Sequence, residues 1–183
     1  MNRYIALLRG INVGRAKRIA MADLCRMFSE LGYTSVKSVL NSGNVVFDAG
    51  GMKTADAAVA IEEALVLRLG VGAKVFVLDH LELADIVADN PLLDQAADPA
   101  RLYTFLLTGE EQRALVTELC AREWGVESLA LGRRAAYVWC PEGMLDSAAA
   151  TALGKQLGDG TTSRNWNTIM RLHGLCSKGA CLS

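Results

Sequence analysis

Short apolar runs alternate with segments of helical period in one order near the start of the chain, and the same order returns after residue 100. Tyr4 to Leu8 is a continuous apolar run, the pattern of a strand buried on both faces. Met21, Leu24, Cys25, Phe28 and Leu31 then recur at helical spacing, with Gly32 at the position after the C-cap. Val36 to Leu40 mixes apolar and polar residues as an edge strand does. Asn41-Ser42-Gly43-Asn44 has turn chemistry, and Val45-Val46-Phe47 resumes extended structure. Ala58, Ile61, Leu65 and Leu69 mark a second helix ending near Gly70, and Lys74 to Leu78 is a fourth strand. The order is βαββαβ, the ferredoxin-like split unit, which puts its first and third strands in the middle of an antiparallel sheet. Those are the two most apolar strands here.

Asp79 and Glu82 form a capping-box-like start to a connecting helix that stops before Pro91, and residues 91–100, with Pro91 and Pro99, read as a linker. Leu102 to Leu107 is the next strand, and Thr108-x-x-Glu111 caps a helix running through Cys120. Glu127 to Leu131 and Ala135 to Cys140 make a hairpin around Gly132-Arg133. Ala149, Leu153 and Leu157 share a helix face, Thr161 to Asn165 is a short last strand, and Ile169, Leu172, His173 and Cys176 follow an Asn167 cap. The expected fold is therefore α+β: two ferredoxin-like βαββαβ units in tandem, each an antiparallel sheet covered by helices. The first unit with its connecting helix spans 1–90, the linker 91–100, and the second unit with a C-terminal helix 101–183.

Composition limits the function. The 183 residues are 51% hydrophobic and 21% charged, enough for a packed interior, and a net charge of −1 gives no whole-surface attraction to nucleic acid or anionic membrane. Any basic site must be local. Arg9 interrupts the apolar start below signal-peptide length, and Glu62, Glu63 and Arg68 break the richest apolar stretch, so the expected setting is cytoplasmic. The cysteines (Cys25, Cys120, Cys140, Cys176, Cys181) lack CxxC spacing and meet only two histidines, so no metal site is assigned and no cofactor is implied.

The loop Arg9-Gly10-Ile11-Asn12-Val13-Gly14-Arg15-Ala16-Lys17-Arg18 is the least ordinary segment. It joins a central strand to a helix with four cations and two glycines, and glycines beside a helix N-terminus let backbone amides approach an anion. Its counterpart in the second half, Leu107 to Glu111, is short and acidic. The spacing is not that of a P-loop, and a solvated surface loop has similar residues. Asn44 lies in a turn that suits ligand contact or simple chain reversal. Arg164 and Trp166, before the last helix, suit an anion and a stacking surface, or a helix staple. Tyr103, Phe105, Tyr137 and Trp139 would make an RNA-stacking platform if they shared one exposed face, or would pack the core. No nucleophile–base pair is evident, so catalytic residues are unassigned.

Three strings, LRGINVG (Leu8 to Gly14), NSGNVVF (Asn41 to Phe47) and RNWNT (Arg164 to Thr168), resemble the bacterial family catalogued as domain of unknown function family 1697, in order and separation over about Arg3 to Leu175. The resemblance implies a small cytosolic bacterial α/β protein and supplies no activity, cofactor or catalytic residue. Three departures stand out against it. Arg15 replaces a common second glycine, and Asn41 a frequent Gln. Gly143-Met144-Leu145-Asp146 replaces a Gly-Arg-Ser-Lys-like segment, which would weaken or retune any shared anion site. The leading expectation is a binder of a small anionic molecule through Arg9, Gly10, Asn12, Gly14, Arg15, Asn44, Arg164 and Trp166. The alternatives are an RNA- or nucleotide-binding module and a protein-interaction scaffold without ligand; membrane partners are not expected, and the oligomeric state is not encoded legibly.

Overall fold

A computed structural model describes residues 1–177, so Cys181 lies outside the described residues. Its elements are β1 (Asn2–Leu8), α1 (Met21–Glu30), β2 (Thr34–Val39), β3 (Asn44–Ala49), α2 (Thr54–Leu69), β4 (Val75–Asp79), α3 (His80–Ala88), β5 (Leu102–Leu106), α4 (Glu110–Cys120), β6 (Ser128–Leu131), β7 (Ala135–Trp139), α5 (Ala148–Leu157), β8 (Ser163–Asn165) and α6 (Trp166–Ser177). They form two four-stranded antiparallel sheets, ordered β2-β3-β1-β4 and β6-β7-β5-β8. The most apolar strands are central in both, as the run pattern requires. The chain divides into two compact units, Met1–Leu83 with the chain from Leu172, and Ala84–Arg171.

In the first unit, Tyr4, Ala6 and Leu8 of β1 face the same way as their partners Phe47 and Val45 of β3 and Val77 and Val75 of β4. Leu24 and Phe28 of α1 and Ile61 and Leu65 of α2 complete that core. Tyr4, Phe28, Tyr33 and Phe47 interlock there, with ring centroids 4.6 Å apart for Tyr33 and Phe47 and 5.3 Å for Phe28 and Phe47. Ile5 and Leu7, pointing to the other face of β1, are buried as well. Arg3 uses its guanidinium fork at the unit's edge, donating to both oxygens of Asp48 (2.7 and 2.9 Å) and to the Leu175 carbonyl at 2.9 Å.

In the second unit, Phe105, Ala136 and Val138 pack against Val116 and Leu119 of α4 and Ala149, Leu153 and Leu157 of α5. Three helix starts differ in how their first N–H groups are capped. Asp79 Oδ1 accepts from Leu81 N–H and Glu82 N–H while Glu82 Oε2 accepts from Asp79 N–H, the reciprocal capping box expected for α3. At α4 the expected Thr108–Glu111 box is not formed. Gly109 is the N-cap, and Gln112 reaches back instead, its Oε1 accepting from Thr108 N–H at 2.8 Å. At α6 the cap is Asn165 rather than Asn167, its Oδ1 accepting from Thr168 N–H at 3.0 Å, because the helix begins at Trp166.

Candidate functional site

The elaborated loop is built by one asparagine and two apolar pegs. As β1 ends, Leu8 N–H donates to the Gly43 carbonyl and Arg9 N–H to the Lys74 carbonyl, both at 2.8 Å. The backbone then enters the left-handed region four times, at Gly10 (φ 68°), Asn12 (55°), Gly14 (62°) and Lys17 (50°). Glycine bears that geometry freely and asparagine better than most residues, which is why these residue types stand there. Asn12 closes the excursion. Its side-chain amide donates to the Ile19 carbonyl at 3.0 Å and the Asn41 carbonyl at 2.8 Å, its Oδ1 accepts from Ile19 N–H at 2.8 Å, and its backbone N–H donates to Lys17 O at 3.0 Å. Ile11 and Ile19 bury their side chains in the first core and pin the loop at both ends.

The turn between β2 and β3 fits against this loop. A Cβ on Gly43 would lie 2.9 Å from Ile11 and from Leu8 Cβ, and its φ is +81°, so only glycine fits. The first two sequence strings thus interlock in one unit, while Arg164 to Thr168 belong to the other. Beside the stapled loop lies an open cleft of about 470 Å³ lined by Asn12, Arg18, Ile19, Ala20, Met21 and Asn41. Ala20 is the N-cap of α1 and offers no capping side chain, so the helix start meets the cleft uncapped. Asp23, the acid in its first turn, pairs with Arg26.

The residues singled out from sequence fall into three groups. Gly10, Gly14 and Arg15 are exposed on the loop and Arg9 is half-buried at its root. Asn12 and Asn44 are committed to the backbone: Asn44, 0% exposed, donates through Nδ2 to the Val39 carbonyl at 2.8 Å and to Ser42 Oγ at 3.0 Å. Arg164 and Trp166 serve the second unit. Arg164 donates to Thr162 Oγ1 (2.8 Å) and to the Ser163 carbonyl (2.7 Å), and burial lowers its guanidinium pKa to about 10. Trp166, 7% exposed, meets Tyr137 edge-on at 6.4 Å between ring centroids. Arg18 and Asn41 line the cleft although neither was selected. In the sequence Arg18 is one of four loop cations and Asn41 one of four residues in a turn that suits ligand contact or chain reversal, and no local signal sets either above its neighbours.

The aromatic platform does not form. Strands β5 and β7 are adjacent, but the register sets Tyr103 opposite Val138 and Thr104 opposite Tyr137. Directly opposed residues share a face, so Tyr103 and Phe105 lie on one side of the sheet and Tyr137 and Trp139 on the other. Phe105 is in the helix-covered core, and Tyr137 is 0% exposed, with its hydroxyl donating to the Ile86 carbonyl at 2.6 Å.

Fold and loop define a class: tandem ferredoxin-like units, of which the first carries an enlarged, stapled strand-to-helix loop. The chain belongs to the DUF1697 family, described as proteins of unknown function, whose model matches residues 1–137. That span takes in the first two sequence strings. A conserved bacterial protein, SP0830 from Streptococcus pneumoniae, has a similar structure, with a TM-score of 0.78 at 24% identity over 96% of this chain and 98% of that one. The likeness is one of fold. A search of curated proteins gave no match. Among the described residues no helix is long and apolar enough to cross a membrane.

Proposed function

We propose that the protein binds a small anionic molecule, bearing phosphate or carboxylate, at the loop between β1 and α1. The observation that carries this reading is the cleft beside the loop, where Arg18 stands next to the uncapped start of α1. Arg18 is exposed, and its side chain has no acidic partner among the described residues. An Arg fork and free helix N–H groups favour the same kind of ligand group. Asn12 acts by holding the backbone that shapes the cleft, Gly10 and Gly14 by permitting its turns, and Arg9 and Arg15 by adding positive potential. Asn44 supports the turn that Asn12 grips, and Arg164 and Trp166 contribute to the second unit's interior.

The test is a thermal-shift screen of sugar phosphates, nucleotides and organic acids against the wild type and Arg18→Gln. A ligand at about 100 times its Kd stabilises the native state by about 2.7 kcal/mol, a shift of several degrees. The expected result is a hit that shifts the wild type and loses at least about tenfold in affinity with Arg18→Gln. A set of hits that stabilise both proteins equally would place the binding elsewhere.

A further inference from the structure

The loop carries more positive charge than one simple anion requires. Arg15, Lys17 and Arg18 fall within four residues, all three are exposed, and none has an acidic partner among the described residues. Four other cations of the same unit have acidic partners, Arg3 with Asp48, Arg26 with Asp23, Arg68 with Glu30 and Lys74 with Glu62, while Lys37 and Lys53 are exposed and isolated in sequence, so what sets the loop apart is clustering. In the second unit Arg113 lies beside Glu110, and Arg133 and Arg134 on Asp85 and Asp89, while the exposed Arg122, Lys155 and Arg171 are each isolated in sequence. Charge is also uneven along the chain: residues 1–83 hold ten Lys and Arg against eight Asp and Glu, whereas residues 84–171 hold eight against twelve. The loop that bears the three cations is held at its ends by Asn12 and by the buried Ile11 and Ile19.

Only Arg18 of the three lines the cleft; Arg15 and Lys17 stand outside that lining. A single carboxylate or orthophosphate at Arg18 leaves two cations without a partner. We infer that the ligand bears several contiguous negative charges, an oligophosphate group on a small molecule, with its terminal phosphate at Arg18 and the rest of the chain meeting Lys17 and Arg15. This rests on the anion-binding reading above and names its ligand class. A phosphate chain also occurs in nucleic acid, and the experiment separates the two sources.

Calorimetric titration of the full chain with acetate, orthophosphate, pyrophosphate, tripolyphosphate and a short single-stranded oligonucleotide, at about 10 mM and about 150 mM ionic strength, tests it; screening lengths of about 30 and 8 Å make the salt comparison informative. Affinity is expected to rise roughly tenfold or more from orthophosphate to tripolyphosphate and to fall more steeply with salt for the longer anion. The Arg15→Gln/Lys17→Gln double variant removes both charges while keeping polar side chains, and is expected to weaken tripolyphosphate binding by a much larger factor than orthophosphate binding, so that the preference for the longer anion is lost. Circular dichroism establishes that this variant is folded, and Arg122→Gln in the other unit serves as a control expected to change nothing. Equal affinity for orthophosphate and tripolyphosphate would overturn the inference and leave the anion reading standing. Absence of binding by every anion would overturn both, and binding of the oligonucleotide without tripolyphosphate would overturn the small-molecule assignment.

Discussion

At the scale of single residues, Asn12 and Gly43 decide whether the candidate site exists at all. Asn12 makes three side-chain hydrogen bonds from a left-handed backbone position, so Asn12→Ala is expected to cost about 2–3 kcal/mol, read by chemical denaturation. Asn12→Asp separates the parts: it keeps the acceptor for Ile19 N–H but sets a carboxylate oxygen against the Ile19 and Asn41 carbonyls, and is expected to cost at least as much as Ala. A loss within measurement error for both would contradict the staple. Gly43→Ala is expected to destabilise by at least about 1–3 kcal/mol, since the added Cβ meets Ile11 and Leu8 at 2.9 Å and its φ of +81° disfavours any side chain. These roles were only half legible. The sequence marks both positions as special, because glycine and asparagine concentrate where the backbone turns left-handed. It does not say that the Asn12 amide is spent on carbonyls at 19 and 41, since that partnership joins segments 29 residues apart.

At the scale of elements, local signals were readable where the partner lay within a few residues and misplaced where a shift of one or two residues mattered. The α3 capping box is reciprocal and local, and it was visible as Asp79 and Glu82. At α4 a one-residue shift of the helix start gives the role to Gln112, and at α6 a two-residue shift gives it to Asn165. The same sensitivity splits the four aromatic rings, because strand registers alternate faces residue by residue. Trp166 begins α6 and is buried against Tyr137, so Trp166→Ala is expected to cost about 3–5 kcal/mol in chemical denaturation. Little loss of stability would remove its structural role. Strands β1 and β3 are joined across Arg3 and Asp48, whose carboxyl is held below its ordinary value of 3.8 chiefly by hydrogen bonds from Arg3, against an opposing effect of burial. The folded pKa is the lower one, so this stability is present above the unfolded pKa and lost as pH falls through the folded one. Denaturation midpoints from pH 7 down to about 2.5 are expected to show a smaller acid dependence for Asp48→Asn than for wild type. An unchanged profile would contradict the coupling.

At the scale of the whole molecule, the repeated run order was enough to specify both sheets, because burial of a central strand on both faces leaves a continuous apolar signature. The units repeat an order of elements but differ in their first strand-to-helix connection, long and basic in one, tight and acidic in the other. That asymmetry directs the central claim, an anion site at the loop of the first unit. Backbone amide chemical shifts of the full chain, followed during titration with orthophosphate and tripolyphosphate, test it residue by residue. The account predicts saturable shifts concentrated in residues 10–22 and 41–43, with Arg18→Gln weakening them. Shifts scattered over arginines of both units without saturation, or a loop that stays unmoved, would contradict it.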